Sequence, residues 1–250
     1  MTFQGKVALI TGAGSGIGRA TALAFAAGGA AVVVSDVNET GGQETVGLIE
    51  QAGGQAIFIG ADVSQPDEVA ALVAETVRGY GRLDIAVNNA GIGGAWARTA
   101  DYPLDDWERV LAVNLSGVFY CMQQEIRQML VQGGGAIVNV ASIAGQRALA
   151  NAPAYTASKH GVIGLTRTAA QEYARQHIRV NAVCPVFTRT PLFDGMIEGN
   201  ERLAERFEKS IPMRRFGEAT EIADAILWLC SEGAGFVTGQ TLNVDGGLTA

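Results

Sequence analysis

Short apolar runs rich in β-branched residues alternate along the chain with longer segments of helical periodicity. Most of these runs are continuously apolar rather than alternating in polarity, which is typical of strands covered on both faces of a parallel sheet. Strands are predicted at residues 7–10, 31–35, 56–60, 85–88, 136–141, 178–184 and 241–244. Helices are predicted at about residues 17–28, 39–53, 66–80, 104–132, 154–176 and 219–231. Right-handed crossovers carry helices to both faces, so the predicted fold class is α/β, a doubly wound seven-stranded parallel sheet.

The 250 residues contain no repeat, no low-complexity tract and no linker rich in proline or serine. Doubly wound sheets of this length commonly form one unit, so residues 1–250 are expected to form a single domain. The stretch 185–200 is irregular, and its apolar side chains look exposed: Phe187, Leu192, Phe193 and Met196. Long loops in compact domains usually serve function, so a mobile substrate lid is expected at about residues 186–210.

The charge balance excludes several classes of partner. Eighteen basic residues stand against 25 acidic ones, for a net charge of −7, and no block of Lys or Arg occurs. A nucleic-acid surface needs a basic stripe, and a bilayer-spanning helix needs about 20 apolar residues, so neither nucleic acid nor membrane is an expected partner. The short apolar run after Lys6 does not resemble a secretion signal.

Three cysteines, Cys121, Cys184 and Cys230, lie far apart and form no CxxC pair. This spacing fits neither a disulfide framework nor a zinc ribbon, and it suits a reducing, cytoplasmic environment. The two histidines, His160 and His177, have no cluster of possible ligands around them in the sequence, so no metal is expected.

A glycine-rich turn follows the first predicted strand and leads into the first predicted helix. Its glycines are Gly12, Gly14, Gly16 and Gly18, with Ser15 and Ile17 between them. Glycine permits a tight turn without a Cβ in the way, so main-chain amides and the helix N-terminus can face a pyrophosphate. The spacing differs from the literal GxGxxG, and the alternative is an ordinary flexible turn.

Asp36 ends the second predicted strand and lies 18 residues beyond Gly18. An acid near this offset accepts hydrogen bonds from the adenosine ribose and repels the 2′-phosphate of NADP. Neither Ser15 nor Val37 supplies a compensating cation, so the predicted cofactor is NAD. Asp62 and Val63 follow the third strand, where they could hold the adenine, although Asp62 is equally plausible as a turn residue.

Tyr155 and Lys159 are spaced four residues apart and share one face of a predicted helix. A free tyrosine has a pKa of about 10, and a nearby ammonium favours the phenolate that could act as a base. Tyr/Lys pairs at this spacing are more often ordinary surface pairs. Ser142, just beyond the fifth strand, lies at the carboxyl edge of the sheet, where its hydroxyl could hold a carbonyl oxygen.

Together these motifs resemble the short-chain dehydrogenase/reductase family over the whole chain. The matching segments are Thr11–Gly18 (TGxxxGIG), residues 88–91 (NNAG), Asn114, Ser142, residues 155–159 (YxxxK) and residues 243–247 (NVDGG). The resemblance implies the strand order 3-2-1-4-5-6-7. It also implies that Ser142 polarises a carbonyl, that Tyr155 is the general acid/base, and that Lys159 binds the nicotinamide ribose and keeps Tyr155 acidic.

The resemblance implies further roles around the cofactor. Asn114 would support a water in a proton relay, and Asn88 would brace the sheet. Asn89, Ala90 and Gly91 would lie beside the adenosine ribose. Thr188 and Thr190 would meet the nicotinamide carboxamide, although Val186 stands where relatives usually have glycine after Pro185. Relatives in this family are mostly tetramers, and the apolar helices at 104–132 and 154–176 suit a homotetramer.

The leading functional hypothesis is reversible, NAD-dependent oxidation of a secondary alcohol to a ketone. The expected substrate wall, formed by residues 93–96, residues 143–151 and the lid, is mostly apolar, which favours a hydrophobic or cyclic substrate. One alternative within the family is a 3-oxoacyl thioester reductase, although Asp36 and the acidic balance disfavour it. The other is a non-catalytic nucleotide-binding sensor or scaffold, because fold alone does not imply function.

Overall fold

The computed structural model describes residues 1–250 and contains one seven-stranded parallel sheet and one two-stranded sheet. The strands are β1 (Val7–Thr11), β2 (Ala31–Asp36), β3 (Gln55–Gly60), β4 (Ile85–Asn88), β5 (Gly135–Val140), β6 (Ile178–Pro185), β7 (Thr188–Arg189), β8 (Gly217–Glu218) and β9 (Thr241–Val244). The large sheet has the order β3-β2-β1-β4-β5-β6-β9. The predicted fold class and strand order are confirmed, with β9 as the seventh predicted strand.

Nine helices surround the large sheet, and together they cover both of its faces. They are α1 (Gly16–Ala27), α2 (Glu39–Gln51), α3 (Pro66–Tyr80), α4 (Leu104–Leu111), α5 (Gly117–Gln132), α6 (Pro153–Tyr173), α7 (Pro191–Ile197), α8 (Glu201–Ser210) and α9 (Ala219–Cys230). None of these helices combines the length and the apolar character needed to cross a bilayer.

The apolar strands are covered on both faces because successive side chains point to opposite sides of a strand. In β1, Ala8 and Ile10 belong to a core of 23 buried residues shared with α1, α2 and α9. Leu9 belongs to a core of 21 buried residues on the other face, shared with α3, α5 and α6. Burial on both faces explains why the strand sequences are continuously apolar.

The strand order reverses at β1, which lies between β2 and β4. Chain connections leave the carboxyl ends of β1 and β4 in opposite directions, and this opens a crevice at that edge of the sheet. The glycine turn follows β1, and the segment beginning at Asn89 follows β4. The topology therefore brings the first and fourth crossovers to one location.

The prediction of one continuous helix over residues 104–132 is wrong. A π-helical turn at Ala112–Ser116 separates α4 from α5 and contains the buried Asn114. A π turn contains an extra residue, which re-aims the side chains that follow it, and such turns often occur at functional sites.

The irregular stretch predicted at residues 185–200 is also corrected. It contains β7 and α7, and α8 follows it. Thr190 begins α7 by accepting a hydrogen bond from the Phe193 amide at 3.3 Å. Phe193 is buried rather than exposed, in a small cluster with Ile143 and Phe216. The aromatic residues that looked exposed in the sequence are therefore the core of a helical subassembly.

Valine truncation in the centre of the sheet should cost stability. Val138 in β5 is 0% exposed, whereas Val131 in α5 is 85% exposed. Val138→Ala should lower the free energy of unfolding by about 1–3 kcal/mol, because it removes buried methyl groups and leaves a cavity. Val131→Ala, the matched control, should change it by less than about 0.5 kcal/mol. Urea unfolding measures both, and equal effects would contradict the assigned core.

Candidate active site

The glycine turn has the geometry that its sequence predicts. Gly12 and Gly16 have positive φ values of 62° and 52°, which other residues rarely adopt. A Cβ on Gly18 would lie 2.2 Å from the Gly12 carbonyl oxygen, so the start of α1 approaches β1 too closely for any side chain. Ser15 is the N-cap residue of α1 but makes no capping hydrogen bond with its side chain. The first-turn amides consequently remain available to an anion.

Asp36 connects the end of β2 to this turn. Its carboxylate accepts hydrogen bonds from the Gly14 amide at 2.8 Å and from the Asn38 amide at 2.9 Å. The neighbouring Val37 is exposed and supplies no charge. Each carboxylate oxygen keeps a free lone pair, so the acid is held in place and can still accept from a ligand hydroxyl.

Asp62 and Val63 have local partners instead. The Asp62 carboxylate accepts from the Ser64 amide at 2.9 Å, an arrangement typical of a turn acid. Val63 is buried against Gly117, where an added Cβ would lie 2.9 Å from the valine side chain. These contacts give Asp62 a role in the turn and Val63 a role in packing.

The segment after β4 braces the glycine turn. The Asn89 side-chain amide donates to the carbonyl oxygens of Thr11 and Gly12, each at 3.0 Å. The Ala90 amide donates to the Thr11 hydroxyl at 3.2 Å. The buried Asn88 side chain donates to Asn139 Oδ1 of β5 and to the Glu125 carboxyl of α5, each at 3.0 Å. These hydrogen bonds tie the ends of β1 and β4 together.

Asn114 positions the next part of that segment. Its Oδ1 accepts from the Ile92 amide and its Nδ2 donates to the Ile92 carbonyl, both at 2.8 Å. A Cβ on Gly91 would lie 3.3 Å from Asn114 Oδ1 and 3.7 Å from Lys159 Nζ. The π turn therefore holds the chain at Gly91 and Ile92 close to the lysine.

Lys159 and Tyr155 lie in the first two turns of α6. Lys159 Nζ is buried and donates to the Val140 carbonyl oxygen of β5 at 2.8 Å, and it lies 5.6 Å from the centroid of the Tyr155 ring. Burial lowers the pKa of Lys159 to about 8. Burial also raises the pKa of Tyr155 above its usual value, while a hydrogen bond with Ser142 opposes that rise. Ser142 Oγ accepts from the Ala144 amide at 3.1 Å, which leaves its hydroxyl proton free to donate elsewhere.

A cavity of about 870 Å³ opens in front of these side chains. Of the predicted site residues, it brings together Ile17, Asn89, Gly91, Ser142, Tyr155, Lys159, Thr188 and Thr190. The others lie outside its lining: Gly12, Ser15, Gly16, Gly18, Asp36, Val37, Asp62, Val63, Ala90 and Asn114. The lining is predominantly apolar, with Trp96, Leu149 and Phe187 among its walls.

The loop after β6 joins the cavity to the glycine turn. A Cβ on Gly16 would lie 3.2 Å from the Thr190 side chain. Thr188 is buried and donates its hydroxyl to the Val186 carbonyl at 2.7 Å. The Val186 side chain packs in the cluster of Ile143 and Phe193, so the valine is accommodated by the subassembly that covers the cavity.

The sequence indicates a lid at residues 186–210 without resolving which of its residues line the cavity, and it gives no sign of the C-terminal part of the wall. One face of α8 and the C-terminal segment complete the wall, through Leu203, Arg206, Phe207, Ser210 and Leu248. The α8 residues have the i, i+3, i+4, i+7 spacing of one helical face, and this pattern could have been recognised in the sequence. Leu248 had no such signal, because its position depends on how the C-terminus folds back.

The fold and this site define a class of Rossmann-like α/β proteins with a cavity at the carboxyl edge of the sheet. A family model described as enoyl-(acyl carrier protein) reductase matches residues 12–249. This model and the relatives described below show that the chain belongs to the short-chain dehydrogenase/reductase family, and it is an oxidoreductase of that family.

The chain is similar to several named proteins over nearly its whole length. It is 45% identical to a cyclohexanol dehydrogenase from Acinetobacter sp. (strain SE19), with 99% of this chain and 96% of that protein covered. It is 42% identical to a 3-oxoacyl-(acyl-carrier-protein) reductase from Thermotoga maritima, with 99% of each chain covered. The structure of an NAD⁺-bound xylitol dehydrogenase superposes with a TM-score of 0.96 at 37% identity, covering 99% of this chain and 100% of that one.

Gly18 provides a test of the turn geometry. Gly18→Ala should lower the free energy of unfolding by roughly 2 kcal/mol or more, because the new methyl group meets a backbone carbonyl that cannot move freely. Gly47→Ala is the control, since it lies within α2 and a Cβ there meets nothing within 4 Å. This control should be neutral or stabilising by about 0.5–1 kcal/mol. Denaturant unfolding compares the two, and a tolerated Gly18→Ala would rule out the close approach.

Proposed function

We propose that this protein interconverts a secondary alcohol and a ketone, with NAD as the hydride carrier. The observation that carries the proposal is the convergence of Ser142, Tyr155 and Lys159 on one cavity at the carboxyl edge of the sheet. All three lie in the connection between β5 and β6, but Ser142 precedes α6, so its meeting with Tyr155 and Lys159 depends on how that connection folds and not on helical spacing alone.

The chemistry of the donor groups fits a dinucleotide. The uncapped start of α1 offers amides to a pyrophosphate, and Asp36 offers oxygens to ribose hydroxyls. Lys159 Nζ has one protein partner and keeps two further protons to donate. The remaining residues of the proposed cofactor site are Gly12, Ser15, Gly16, Ile17, Gly18, Val37, Asp62, Val63, Asn89, Ala90, Gly91, Thr188 and Thr190. The nicotinamide ring, when bound, supplies or accepts the hydride.

Tyr155 is the proposed proton donor in the direction of ketone reduction. Burial raises its pKa, so the phenol is protonated at neutral pH and ready to donate to the substrate oxygen. Ser142 donates a second hydrogen bond to the same oxygen, whose negative charge grows during the reaction. In alcohol oxidation Tyr155 accepts the hydroxyl proton, and the ammonium of Lys159 stabilises the phenolate that this requires. Asn114 acts as a positioning residue through its two hydrogen bonds with Ile92.

A hydrophobic or cyclic substrate fits the apolar cavity wall. The similarity to a cyclohexanol dehydrogenase supports the same choice. The similarity to a 3-oxoacyl-(acyl-carrier-protein) reductase favours a thioester as the second candidate. Oxidation of cyclohexanol compared with reduction of acetoacetyl-coenzyme A separates the two, and the absence of turnover with either would favour a non-catalytic nucleotide-binding sensor or scaffold.

The proposal extends to the domain organisation, the oligomeric state and the cellular location of the enzyme. Residues 1–250 act as one domain whose segment at about residues 186–210, containing α7 and α8, serves as the substrate lid. An apolar groove between α5 and α6, with Phe119 and Leu165 in its wall, supports a homotetramer. Three buried, unpaired cysteines support a reducing, cytoplasmic compartment.

Loss of the Tyr155 hydroxyl tests the reaction directly. Tyr155→Phe should lower kcat for cyclohexanol oxidation on the order of 10²-fold or more, because the proton acceptor is gone. Tyr80→Phe, a half-buried tyrosine at the end of α3, should leave kcat unchanged. Steady-state kinetics with NAD measures both variants, and normal turnover by Tyr155→Phe would refute the assignment.

The charge of Asp36 tests the choice of cofactor. Asp36→Asn keeps an acceptor for the Gly14 amide but removes the negative charge that repels a 2′-phosphate. The ratio of kcat/KM with NAD to kcat/KM with NADP should fall by roughly tenfold or more, a difference of about 1.4 kcal/mol. Kinetics with both cofactors gives this ratio. An unchanged ratio would mean that Asp36 does not discriminate between them.

A further inference from the structure

The cavity wall is basic, whereas the protein as a whole is acidic. The chain is acidic, with 25 acidic residues against 18 basic ones, yet the cavity wall contains no Asp or Glu. Three cations line it, namely Arg147, Lys159 and Arg206. Lys159 has a place in the proposed reaction, whereas the two arginines do not.

Arg206 belongs to the cavity face of α8. This face consists of Leu203, Arg206, Phe207 and Ser210, while the remaining charged residues of the helix lie outside the cavity lining. Phe207 stacks on Phe187 with 4.1 Å between ring centroids, which fixes the rotation of α8 about its axis. Arg206 is thus the one charged side chain that α8 presents to the cavity.

Arg147 comes from a different part of the chain, the segment between β5 and α6. It follows the short 3₁₀ turn that begins after Ser142, and its guanidinium approaches the Leu248 carbonyl at 3.5 Å. Leu248 also lines the cavity. The guanidinium is therefore near the wall formed by the C-terminal segment.

Neither arginine has a carboxylate partner, although their neighbours do. Arg189 pairs with Asp194 at 3.0 Å, and Arg215 pairs with Glu221 at 2.6 Å. On α8 itself, Lys209 pairs with Glu205 at 2.5 Å. No ion pair forms at Arg147 or Arg206. Two unpaired guanidinium groups on one cavity, without an acid in its wall, are suited to an anionic ligand.

We propose that Arg147 and Arg206 are specificity-determining residues that bind a carboxylate on the substrate, at a position away from the carbon that is oxidised. This inference rests on the proposed function and names its substrate class: a hydrophobic, preferably cyclic, secondary alcohol that carries a carboxylate. The apolar walls contact the ring, Ser142 and Tyr155 contact the hydroxyl, and the arginines contact the acid. Both arginines are exposed, so each contributes a solvent-screened interaction of modest size.

The experiment compares three alcohols in the wild-type enzyme with NAD: cyclohexanol, 4-hydroxycyclohexanecarboxylate and the methyl ester of that acid. Turnover of cyclohexanol or the ester tests the proposed function alone. The inference expects kcat/KM for the carboxylate to exceed that for the ester by about tenfold, with the difference shrinking as salt concentration rises.

Variants of the two arginines test whether they cause the preference for the carboxylate over the ester. Arg147→Gln and Arg206→Gln should each lower kcat/KM for the carboxylate roughly 3- to 10-fold and leave the ester unchanged. Arg202→Gln is the matched control, since Arg202 is exposed on the same helix but does not line the cavity. It should change neither value. The KM for NAD should be the same in all variants, which separates a substrate contact from a cofactor contact.

A binding measurement is independent of turnover. Cyclohexanecarboxylate should inhibit cyclohexanol oxidation competitively and more tightly than cyclohexanecarboxamide, and the double variant R147Q/R206Q should remove that difference. Equal inhibition by the acid and the amide, or no effect of the variants on the carboxylate, would overturn the inference while ring-alcohol turnover still stands.

A further comparison distinguishes a substrate carboxylate from the phosphates of coenzyme A as the group that the arginines bind. The phosphates of acetoacetyl-coenzyme A could also meet two arginines. If that thioester is reduced in an arginine-dependent manner while the ring carboxylate gains nothing from the arginines, the substrate carboxylate is excluded. Failure of every alcohol instead refutes the proposed function itself, and the inference falls with it.

Discussion

The buried hydrogen bond between Lys159 Nζ and the Val140 carbonyl oxygen is the contact on which the site depends. Burying an ammonium is costly unless it is hydrogen-bonded, and this bond meets that requirement at the end of β5. It fixes α6 against the carboxyl edge of the sheet, with Tyr155 one helical turn before the lysine. The lowered pKa of Lys159, at about 8, records the remaining cost of burial and still leaves most of the amine protonated at neutral pH.

Around that contact, the site is held together by polar groups that connect separate crossovers. Asn89 joins β4 to the glycine turn, and Asn114 holds the chain at Ile92 beside the lysine. Thr190 packs against Gly16 and brings the loop after β6 to the same place. The cost of the π turn and of crowding several glycines is therefore concentrated where the connections after β1, β4, β5 and β6 meet. In the proposed arrangement of charge, Asp36 lies at the adenosine end of the cofactor site, and the cations Lys159, Arg147 and Arg206 lie around the substrate cavity.

Much of the fold could be predicted from local pattern, because strands buried on both faces have a distinctive continuously apolar sequence. The glycine turn, Asp36 and the Tyr155/Lys159 pair were recognisable for the same reason: each is a short motif with a physical explanation. The split between α4 and α5 was not predictable, since a π turn leaves almost no trace in helical periodicity. The structure of residues 185–210 was missed because their apolar residues pack on each other, as Phe187 does on Phe207, rather than on the sheet.

The sequence by itself determined the alternation of strands and helices, the sharp turn after β1 and the spacing that puts a phenol and an amine on one helical face. These follow from backbone sterics and periodicity, which act over a few residues. Only the tertiary structure decided which face of α8 lines the cavity with Ser142 and Arg147, and that Leu248 joins them. Their meeting depends on how distant segments fold over the edge of the sheet, and long-range packing, which no local pattern encodes, sets that geometry.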